Sequence, residues 1–433
     1  MTKPTRAVCN LDCEYCFFLS KEQLYPGSTF RMSPDVHETY LTQLFAAHGP
    51  SDEVVVAYQG ASPPSWDWSP SPDPWRRAAP LRGPDQRILH TIQTNATLLD
   101  DEWGAFLSEH GFVVGLSVDG PCGMHDAYRV DKGGKPTFER VLAGWDVLRR
   151  HEVDWNALTT VNAANVEHGL EVYRFLRDEL QSTFMQFIPI VERVTAEMLP
   201  QADDGWGVRA RNRPPYRQQG SAVTHRSVTG EQYGRFLIAV FEEWARHDVG
   251  DVFVQTFDTA LANWLDMHDV GLCIHAPTCG SALALEHTGD LYPCDRYVEP
   301  EYLLGRISDG RTLLEPIESP EQRQFGGAKS DSLPTYCRDS DVRFACHGGC
   351  PKDRFTTTPD GEPGLHYLCA GYQSFFRHID RPMRFAATEL RAGRDATVLR
   401  DWYAATDAQR GRNDPCSCGS GAKWKRYHGA AAA

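Results

Sequence analysis

The sequence predicts an α/β protein in which a parallel sheet is followed by a small cysteine-rich domain. In the first 195 residues, short apolar runs rich in β-branched residues alternate with segments that have helical spacing. Such nearly continuous apolar runs are typical of strands buried on both faces of a parallel sheet. After about residue 270 the pattern becomes turn-rich, and seven of the thirteen cysteines lie between residues 273 and 369. The repeated βα units favour an α/β barrel or an open parallel sheet, and the cysteines indicate a metal-stapled domain after it.

The elements follow from local patterns, taken in chain order. We predict four strands, over residues 53–60, 112–120, 156–162 and 184–192. Helical spacing predicts helices over 137–151, 169–180 and 231–247. The polar stretch over 195–230 predicts a loop or linker. The domain boundaries expected from these patterns are a barrel over 1–230, a connecting helical region over 231–265, a cysteine-rich domain over 266–375, a helical tail over 376–410 and a terminal motif over 411–429.

Composition narrows the class of protein. The net charge of -14 argues against nucleic acid as the main partner. The start, MTKPTRAV, has no apolar signal region, and runs such as FLIAVF are too short to span a bilayer, so we expect a cytoplasmic protein without a membrane partner. In a reducing compartment, clustered cysteines bind metal more often than they form disulfides. Cys122 stands alone and is interpreted as a small buried hydrophobe.

The stretch VCNLDCEYCFF places Cys9, Cys13 and Cys16 in a spacing that leaves a metal site open. Three thiolates can hold three irons of a [4Fe–4S] cluster, so the fourth iron has no protein ligand. The amino and carboxylate groups of S-adenosylmethionine (SAM) can chelate that iron, and one-electron reduction then breaks the sulfonium bond to give a 5′-deoxyadenosyl radical. The alternative is a zinc knuckle with a distant fourth ligand.

The Cys-x3-Cys-x2-Cys pattern with Tyr15 before its last cysteine resembles that of radical SAM enzymes. Together with GLSVDGP, HDAYRVDKGGKPTF, FIPIVER and DVRFACHGGCPKDRF, it makes the chain similar to the anaerobic sulfatase-maturating enzymes from residue 3 to about 385. The resemblance implies a partial (β/α)6 radical SAM barrel followed by a SPASM domain. It also implies SAM contacts from a set of residues near the strand ends: Tyr15, Gln59, Gly60, Ser117, Arg129 and Ile190.

The same resemblance implies an activity and its partners. These enzymes oxidise a cysteine or serine of a sulfatase polypeptide, in a Cys/Ser-x-Pro-x-Arg type of segment, to Cα-formylglycine under anaerobic conditions. An electron donor such as flavodoxin or ferredoxin is expected. Asp295, in LYPCDRY, takes the role of general base, because the thiol or hydroxyl must lose a proton after hydrogen is removed from Cβ. The surplus electron can pass to the cluster bound by the neighbouring Cys294.

By position, the SPASM resemblance implies two auxiliary [4Fe–4S] clusters, with zinc as the alternative metal. The first would use Cys273, Cys279, Cys294 and Cys350, and the second would use Cys337, residue 340, Cys346 and Cys369. Position 340 is a serine, and a hydroxyl is a harder and far less acidic ligand than a thiol. The sequence therefore leaves open whether one or two auxiliary clusters form.

Further departures from the family pattern surround residues 61–84. Ala61 and Ser62 stand where the family has the glycine and glutamate that hold the amino group of SAM, which predicts weaker SAM binding. The segment over 63–84 contains seven prolines and cannot form a regular helix. A typical coding stretch for Glu-Pro-Thr-Leu-Met-Gly-Leu, read one base out of frame, would encode the Ser-Pro-Pro-Ser-Trp-Asp-Trp found at residues 62–68. We therefore hypothesise a pair of compensating frame shifts. These departures leave two alternatives: another peptide-modifying SPASM maturase, or a non-catalytic descendant that binds a peptide or partner.

The end of the chain, RNDPCSCGSGAKWKRYHG, resembles the SEC-C motif, a small zinc-binding module. Cys416, Cys418 and His428 fit the ligand pattern, but Tyr427 occupies the position of the third cysteine. Three ligands hold zinc more weakly than a closed set of four. The alternative is a disordered basic tail.

Overall fold

The fold is built around one ten-stranded sheet. The computed structural model describes residues 1–5, 8–50, 52–60, 82–83, 85–205, 218–267 and 271–429. The sheet order is β12-β11-β10-β1-β2-β3-β4-β5-β6-β9. Ala61, Ser62 and nearly all of the proline-rich segment lie outside the described residues. The strands on either side of that segment still pair in regular parallel register, from Glu53 opposite Arg87 to Tyr58 opposite Ile92.

Six parallel strands in chain order form the centre of the sheet: β1 Thr2–Lys3, β2 Glu53–Tyr58, β3 Arg87–Thr94, β4 Phe112–Ser117, β5 Asp154–Val161 and β6 Phe184–Pro189. The four predicted strands correspond to β2, β4, β5 and β6 and are confirmed. The two strands β1 and β3 were missed. A short strand, β9 Phe253–Val254, continues the parallel pairing beside β6.

Helices cover the sheet, and the predicted ones over 137–151, 169–180 and 231–247 are confirmed. The helix Gly230–His247 begins with a capping box, in which the side chains of Thr229 and Gln232 each bond the other's backbone N–H. The α-helices are Pro34–Ala46, Asp101–Glu109, Cys122–His125, Phe138–Arg150, Gly169–Arg174, Leu199–Asp203, Gly230–His247, Gln255–Trp264, Leu314–Ile317, Pro320–Asp331, Thr335–Arg338, Arg343–Cys346, Cys369–Arg391 and Val398–Asp407. None of the helices in the described ranges is long and apolar enough to cross a membrane.

The polar segment predicted as a loop is only partly irregular where it is described. It holds the helix Leu199–Asp203 and a two-stranded antiparallel pair, β7 Arg193–Val194 with β8 Ala222–Val223. Cys122, predicted to be a buried hydrophobe, is exposed, and its thiol bonds Asp126 Oδ2 over 3.3 Å. That prediction is wrong because the residue begins a surface helix rather than pointing into the core.

The cysteine-rich region shares the sheet of the barrel. Its strand β10 Ala284–Glu286 runs parallel to β1, with Thr2 opposite Leu285 and Lys3 opposite Glu286. Antiparallel strands β11 Asp290–Tyr292 and β12 Gly305–Arg306 extend the sheet further. A separate antiparallel pair, β13 Thr356–Thr357 with β14 Pro363–Leu365, lies near the second group of cysteines. The sheet is therefore continuous across the boundary predicted between residues 265 and 266, and it brings the cysteine-rich segment next to the barrel opening.

The helices Gly230–His247 and Cys369–Arg391 pack at very close range. A Cβ atom on Gly371 would lie 1.9 Å from the carbonyl oxygen of Gly230, so this crossing requires glycine. The buried carboxylate of Glu242 then ties the end of the chain to this pair of helices. It accepts hydrogen bonds from His378 Nε2 at 2.8 Å, Tyr403 Oη at 3.1 Å and Arg246 Nη1 at 2.9 Å, and another from the Ser417 hydroxyl.

Candidate active site

A cavity of about 470 Å³ opens at the carboxyl ends of the parallel strands. This is the end of a β/α barrel at which loops carry chemistry. Its lining includes the amino-terminal cysteines Cys9, Cys13 and Cys16. It also includes every residue for which the sequence predicted a SAM contact, together with the predicted base: Tyr15, Gln59, Gly60, Ser117, Arg129, Ile190 and Asp295. Residues that are up to 286 positions apart in sequence thus face one space.

The loop that carries the three cysteines is fixed by hydrogen bonds to its neighbours. Its backbone N–H groups at Asp12 and Glu14 donate to the carbonyls of Val130 and Tyr128 over 2.8 and 3.0 Å. The side-chain amide of Asn95, just after β3, donates to Asn10 Oδ1 over 3.0 Å and lies 3.7 Å from Cys9 Sγ. Cys13 is buried, whereas Cys9 and Cys16 are half-buried beside the cavity. The loop is therefore rigidly placed over the strand ends.

Arg129 reaches the cavity, but its guanidinium is paired with a carboxylate that the sequence analysis missed. Asp119, two residues beyond β4, lies 2.9 Å from both Arg129 Nη2 and Arg129 Nε. The hydroxyl of Tyr15 donates to Asp119 Oδ2, the oxygen that also lies beside Arg129 Nε. Burial alone would raise the pKa of Asp119, but Arg129 beside it lowers that pKa below its usual range. Arg129 and Tyr15 are thus held in place by one buried anion.

The spacing of the thiols separates sites for a single ion from sites for a cluster. Two sulfurs bound to one zinc ion lie at most about 4.6 Å apart, because each Zn–S bond is about 2.3 Å long. Among the described residues, only Cys416, Cys418 and His428 offer three donor atoms within 4.8 Å of one another. Cys9, Cys13 and Cys16 do not form such a set. In a [4Fe–4S] cluster each cysteine binds a different iron, so their sulfurs need not lie within the span of one ion, and this favours a cluster over the alternative of a zinc knuckle.

Asp295 lies at the cavity wall directly after Cys294. Its carboxylate Oδ2 is 3.8 Å from Lys3 Nζ, and its backbone carbonyl accepts a hydrogen bond of 2.9 Å from Lys21 Nζ. Burial alone would raise the pKa of Asp295, but the positive charges of Lys3, Lys21 and Arg296 outweigh burial and lower it. A carboxylate held ionised in this way can accept a proton.

The first predicted auxiliary set is brought together around the loop that follows residue 272. Burial raises the pKa of Cys279 to about 11, and the neighbouring Cys350 and Cys273 add to the effect. Burial likewise raises the pKa of Cys294, next to the same two cysteines. The buried Lys329 supports the loop by donating to the carbonyls of Ile274 at 3.1 Å and Ala276 at 2.5 Å.

The second predicted auxiliary set has three clustered thiols and a serine. Cys337, Cys346 and Cys369 are buried, and the neighbouring Cys369 thiol lowers the pKa of Cys337. Ser340 is half-buried and its hydroxyl accepts a hydrogen bond from the N–H of Val342 over 3.4 Å. Its oxygen is thus engaged within its own turn.

The terminal motif forms a compact donor set. His428 Nδ1 lies 3.0 Å from Cys416 Sγ, and His428 Nε2 donates to the carbonyl of Ala239 over 2.9 Å. That bond places the ring proton on Nε2 and leaves the lone pair of Nδ1 free for a metal, as in many zinc sites. Tyr427, at the position of the missing cysteine, is half-buried beside this set.

Several residues that line or support the site were missed by sequence reasoning. Gln93, in β3, donates to the Ser117 hydroxyl over 3.0 Å. Asp119 was visible in GLSVDGP, where an aspartate after a buried strand is a usable signal. Lys3 and Lys21 carried no such signal, because their partner lies more than 270 positions away.

Known proteins share both the sequence and the architecture of this chain. Residues 5–176 match the Radical SAM superfamily and residues 412–426 match the SEC-C motif. The chain is 40% identical over 398 residues to a serine-type anaerobic sulfatase-maturating enzyme of Bacteroides thetaiotaomicron, which covers 90% of this chain and 91% of the relative. It is 27% identical over 385 residues to a cysteine-type enzyme of Clostridium perfringens (strain 13 / Type A), with 87% of this chain and 95% of the relative covered.

The solved structure of native anSMEcpe with bound AdoMet and Kp18Cys peptide superposes with a TM-score of 0.75 at 26% identity, covering 90% of this chain and 98% of that one. The parallel sheet and the open cysteine loop define a radical SAM enzyme. Within that class, the chain belongs to the anaerobic sulfatase-maturating enzyme family. The predicted family and the α/β radical SAM fold are confirmed, and a [4Fe–4S] cluster with SAM is the cofactor pair of this class.

Proposed function

We propose that this protein oxidises a cysteine or serine of a sulfatase polypeptide to formylglycine. The observation that carries this proposal is the single cavity that brings together the open cysteine trio, the predicted SAM contacts and Asp295. The curated relatives include both serine-type and cysteine-type enzymes, and the solved structures include peptide-bound forms. They support a peptide substrate that offers either residue.

Residues that line the cavity would bind both cofactors. Cys9, Cys13 and Cys16 would hold the [4Fe–4S] cluster, and Gln59, Gly60, Ser117 and Ile190 at the strand ends would contact SAM beside Tyr15 and Arg129. When bound, the cluster and SAM supply a radical that removes a hydrogen atom from an unactivated carbon. Because Asp119 holds Arg129 and Tyr15 in place, their part is to shape the SAM pocket rather than to move a proton.

Asp295 takes the proton from the substrate thiol or hydroxyl. Its ionised carboxylate lines the cavity and adjoins Cys294, so the proton acceptor and the first auxiliary set lie side by side. The first auxiliary cluster would be held by Cys273, Cys279, Cys294 and Cys350 and would supply an electron acceptor. The thioaldehyde made from cysteine then hydrolyses to the aldehyde, whereas serine gives the aldehyde directly.

The second auxiliary cysteine set and the terminal motif would bind different metals. Cys337, Cys346 and Cys369 would hold a second, labile auxiliary cluster with Ser340 standing at the fourth position. Cys416, Cys418 and His428 would hold a zinc ion, since their donor atoms already lie within the span of one ion. A reducing protein such as flavodoxin or ferredoxin would supply electrons.

The experiment uses the full chain, purified and reconstituted without oxygen. The protein is incubated with SAM, dithionite and two peptides that carry Cys-x-Pro-x-Arg or Ser-x-Pro-x-Arg, and the products are read by mass spectrometry and aldehyde capture. We expect formylglycine in at least one peptide and equimolar 5′-deoxyadenosine. Formation of a crosslink or thioether would favour another SPASM maturase, and the absence of SAM cleavage would favour a non-catalytic protein.

A further inference from the structure

Lys3 is a charged side chain buried without solvent contact at the centre of the sheet. Its strand, β1, lies between β2 and β10, and its exposed fraction is 0%. An ammonium taken out of water is costly unless other charges or dipoles compensate it. Lys3 Nζ lies 3.8 Å from Asp295 Oδ2 and 3.8 Å from the centre of the Phe18 ring, whose face attracts cations. Both neighbours line the active-site cavity.

A second lysine from the same end of the chain holds the backbone of the same aspartate. Lys21 belongs to the 3-10 helix Leu19–Leu24, which follows the cysteine loop, and only 3% of it is exposed. Its ammonium donates to the carbonyl oxygen of Asp295 over 2.9 Å. The carboxylate and the main chain of Asp295 are therefore each faced by a lysine that flanks the Cys9–Cys16 loop.

The other charges around Asp295 are engaged elsewhere. Arg296 forms a two-pronged pair with Asp353 at 2.5 and 2.8 Å. The amino-terminal ammonium of Met1 donates to the carbonyl of Leu283 over 2.8 Å. Glu286 lies opposite Lys3 on β10 and is buried as well, and its carboxylate lies 3.9 Å from His287 Nδ1. Among the residues that the structure describes, Lys3 is the cation that forms an ion pair with the carboxylate of Asp295.

The distance between Lys3 and Asp295 allows the lysine to orient the carboxylate by charge without forming a direct hydrogen bond to it. At 3.8 Å the two groups attract each other, but they are beyond hydrogen-bond length. The carboxylate is thus oriented by charge while its lone pairs remain able to accept a proton. The side chain of Asp295 is 21% exposed, and the cavity is the space that it faces.

We propose that Lys3 is a positioning residue for the substrate deprotonation step, with Lys21 fixing the backbone beneath it. The inference rests on the proposed function. In that reaction the substrate loses a hydrogen atom from Cβ to the deoxyadenosyl group, a proton from its thiol or hydroxyl to Asp295, and one electron to the first auxiliary cluster. Lys3 affects only the second of these events. Its loss leaves hydrogen removal intact and slows proton transfer, so SAM is consumed without product.

The test measures the ratio of 5′-deoxyadenosine to formylglycine in the wild-type protein, Lys3→Met, Lys3→Arg and the matched surface control Lys135→Met. We expect a ratio near one in the wild type and the control, an increase of about tenfold or more in Lys3→Met, and a smaller increase in Lys3→Arg. Methionine keeps the length and apolar volume of the stem and removes the charge. The KM for the peptide should stay unchanged.

Iron content and thermal unfolding of each variant separate positioning from folding. If Lys3→Met keeps its iron, cleaves SAM and retains a ratio near one, the inference is overturned. If Lys3→Met loses iron or unfolds, Lys3→Arg and Lys21→Met decide, because either one should raise the ratio and ratios near one in both would refute the role. A wild-type protein that makes no formylglycine refutes the proposed function instead, which is a distinct outcome.

Discussion

The hydroxyl of Tyr15 donates a buried hydrogen bond to the carboxylate of Asp119. The same carboxylate pairs with Arg129 and accepts the backbone N–H of Thr160 over 2.9 Å, and its carbonyl accepts Asn165 Nδ2 over 2.8 Å. One anion thus links the cysteine loop to the ends of β4 and β5. Such a network of buried hydrogen bonds and an ion pair fixes the loop before any cofactor binds.

Asp119→Asn should therefore destabilise the protein and its iron site together. The substitution leaves the buried guanidinium of Arg129 without its counter-charge, a change that typically costs about 3–5 kcal/mol. Tyr15→Phe, which removes one hydrogen bond and keeps the ring, should cost only about 1 kcal/mol. Thermal unfolding and iron content of the anaerobic proteins measure both effects. Equal losses in the two variants would contradict the central role of Asp119.

Ser340→Cys should add one cluster. By the proposed assignment the wild-type protein has two complete cysteine sets for iron, so we expect about eight irons, with the second auxiliary set emptied on purification. A thiolate at position 340 would complete that set, so the variant should hold about twelve. Iron analysis and Mössbauer spectra measure the difference, and Ser332→Cys on the nearby surface serves as control. About twelve irons in the wild type would show that serine suffices.

The double change Ala61→Gly with Ser62→Glu should tighten SAM binding. An acceptor restored to a buried ammonium is worth about 1.5–3 kcal/mol, which corresponds to a gain of about tenfold to a hundredfold in affinity. Equilibrium binding of SAM to the reconstituted protein measures it. An unchanged affinity would mean that the amino group of SAM is held by other residues. Resequencing of the gene tests the hypothesis of frame shifts over the same segment.

The parts of the fold that local pattern encodes were predictable, and the parts made by distant pairing were not. The apolar runs of β2, β4, β5 and β6 were recognisable as buried strands. In contrast, β3, with the sequence RILHTIQT, mixes polar and apolar residues and follows a proline-rich stretch. The strand β1 has two residues, too few to show a period. Motif spacing led to the cysteines, because these residues are constrained within short segments, and the family resemblance led to Asp295.

The lysines around Asp295 illustrate what spacing cannot reveal. Lys3 acquires its partner only because β10 pairs with β1 and carries Cys294 and Asp295 to the barrel opening. Similarly, the shared role of Asp119 depends on how the cysteine loop folds over β4. Contacts of this kind are set by tertiary topology, which a single sequence does not display.

The docking of the chain terminus should depend on pH through Glu242. Burial alone would raise the pKa of Glu242, but the hydrogen bond from His378 and the charge of Arg246 lower it below its ordinary value of 4.5. A carboxyl group with a lowered pKa contributes stability that is present above its unfolded-state pKa and is lost as the pH falls through its folded-state pKa. Glu242→Gln should thus lower the melting temperature by a constant amount at neutral pH, and the difference should shrink below about pH 4.5. A difference that grows in acid would contradict this assignment.

Zinc bound at the terminal motif should respond to single ligands. Cys416→Ser should remove the ion, and Tyr427→Cys should tighten its binding by supplying a fourth ligand. Zinc content after dialysis against a graded series of chelator concentrations measures both. Asp401→Asn, an exposed change outside the motif, should behave like the wild type. Zinc retained in Cys416→Ser would place the metal elsewhere.

The pairing of β10 with β1 has a consequence for dissecting the protein. A fragment ending near residue 265 would present the bare backbone of β1 as an open sheet edge and leave Lys3 with a water-filled gap in place of Glu286 and Asp295. Exposed edges of this kind recruit other chains, so such a fragment should precipitate or self-associate rather than behave as an independent barrel. The cysteine-rich segment thus closes one side of the catalytic cavity and covers an edge of the barrel sheet.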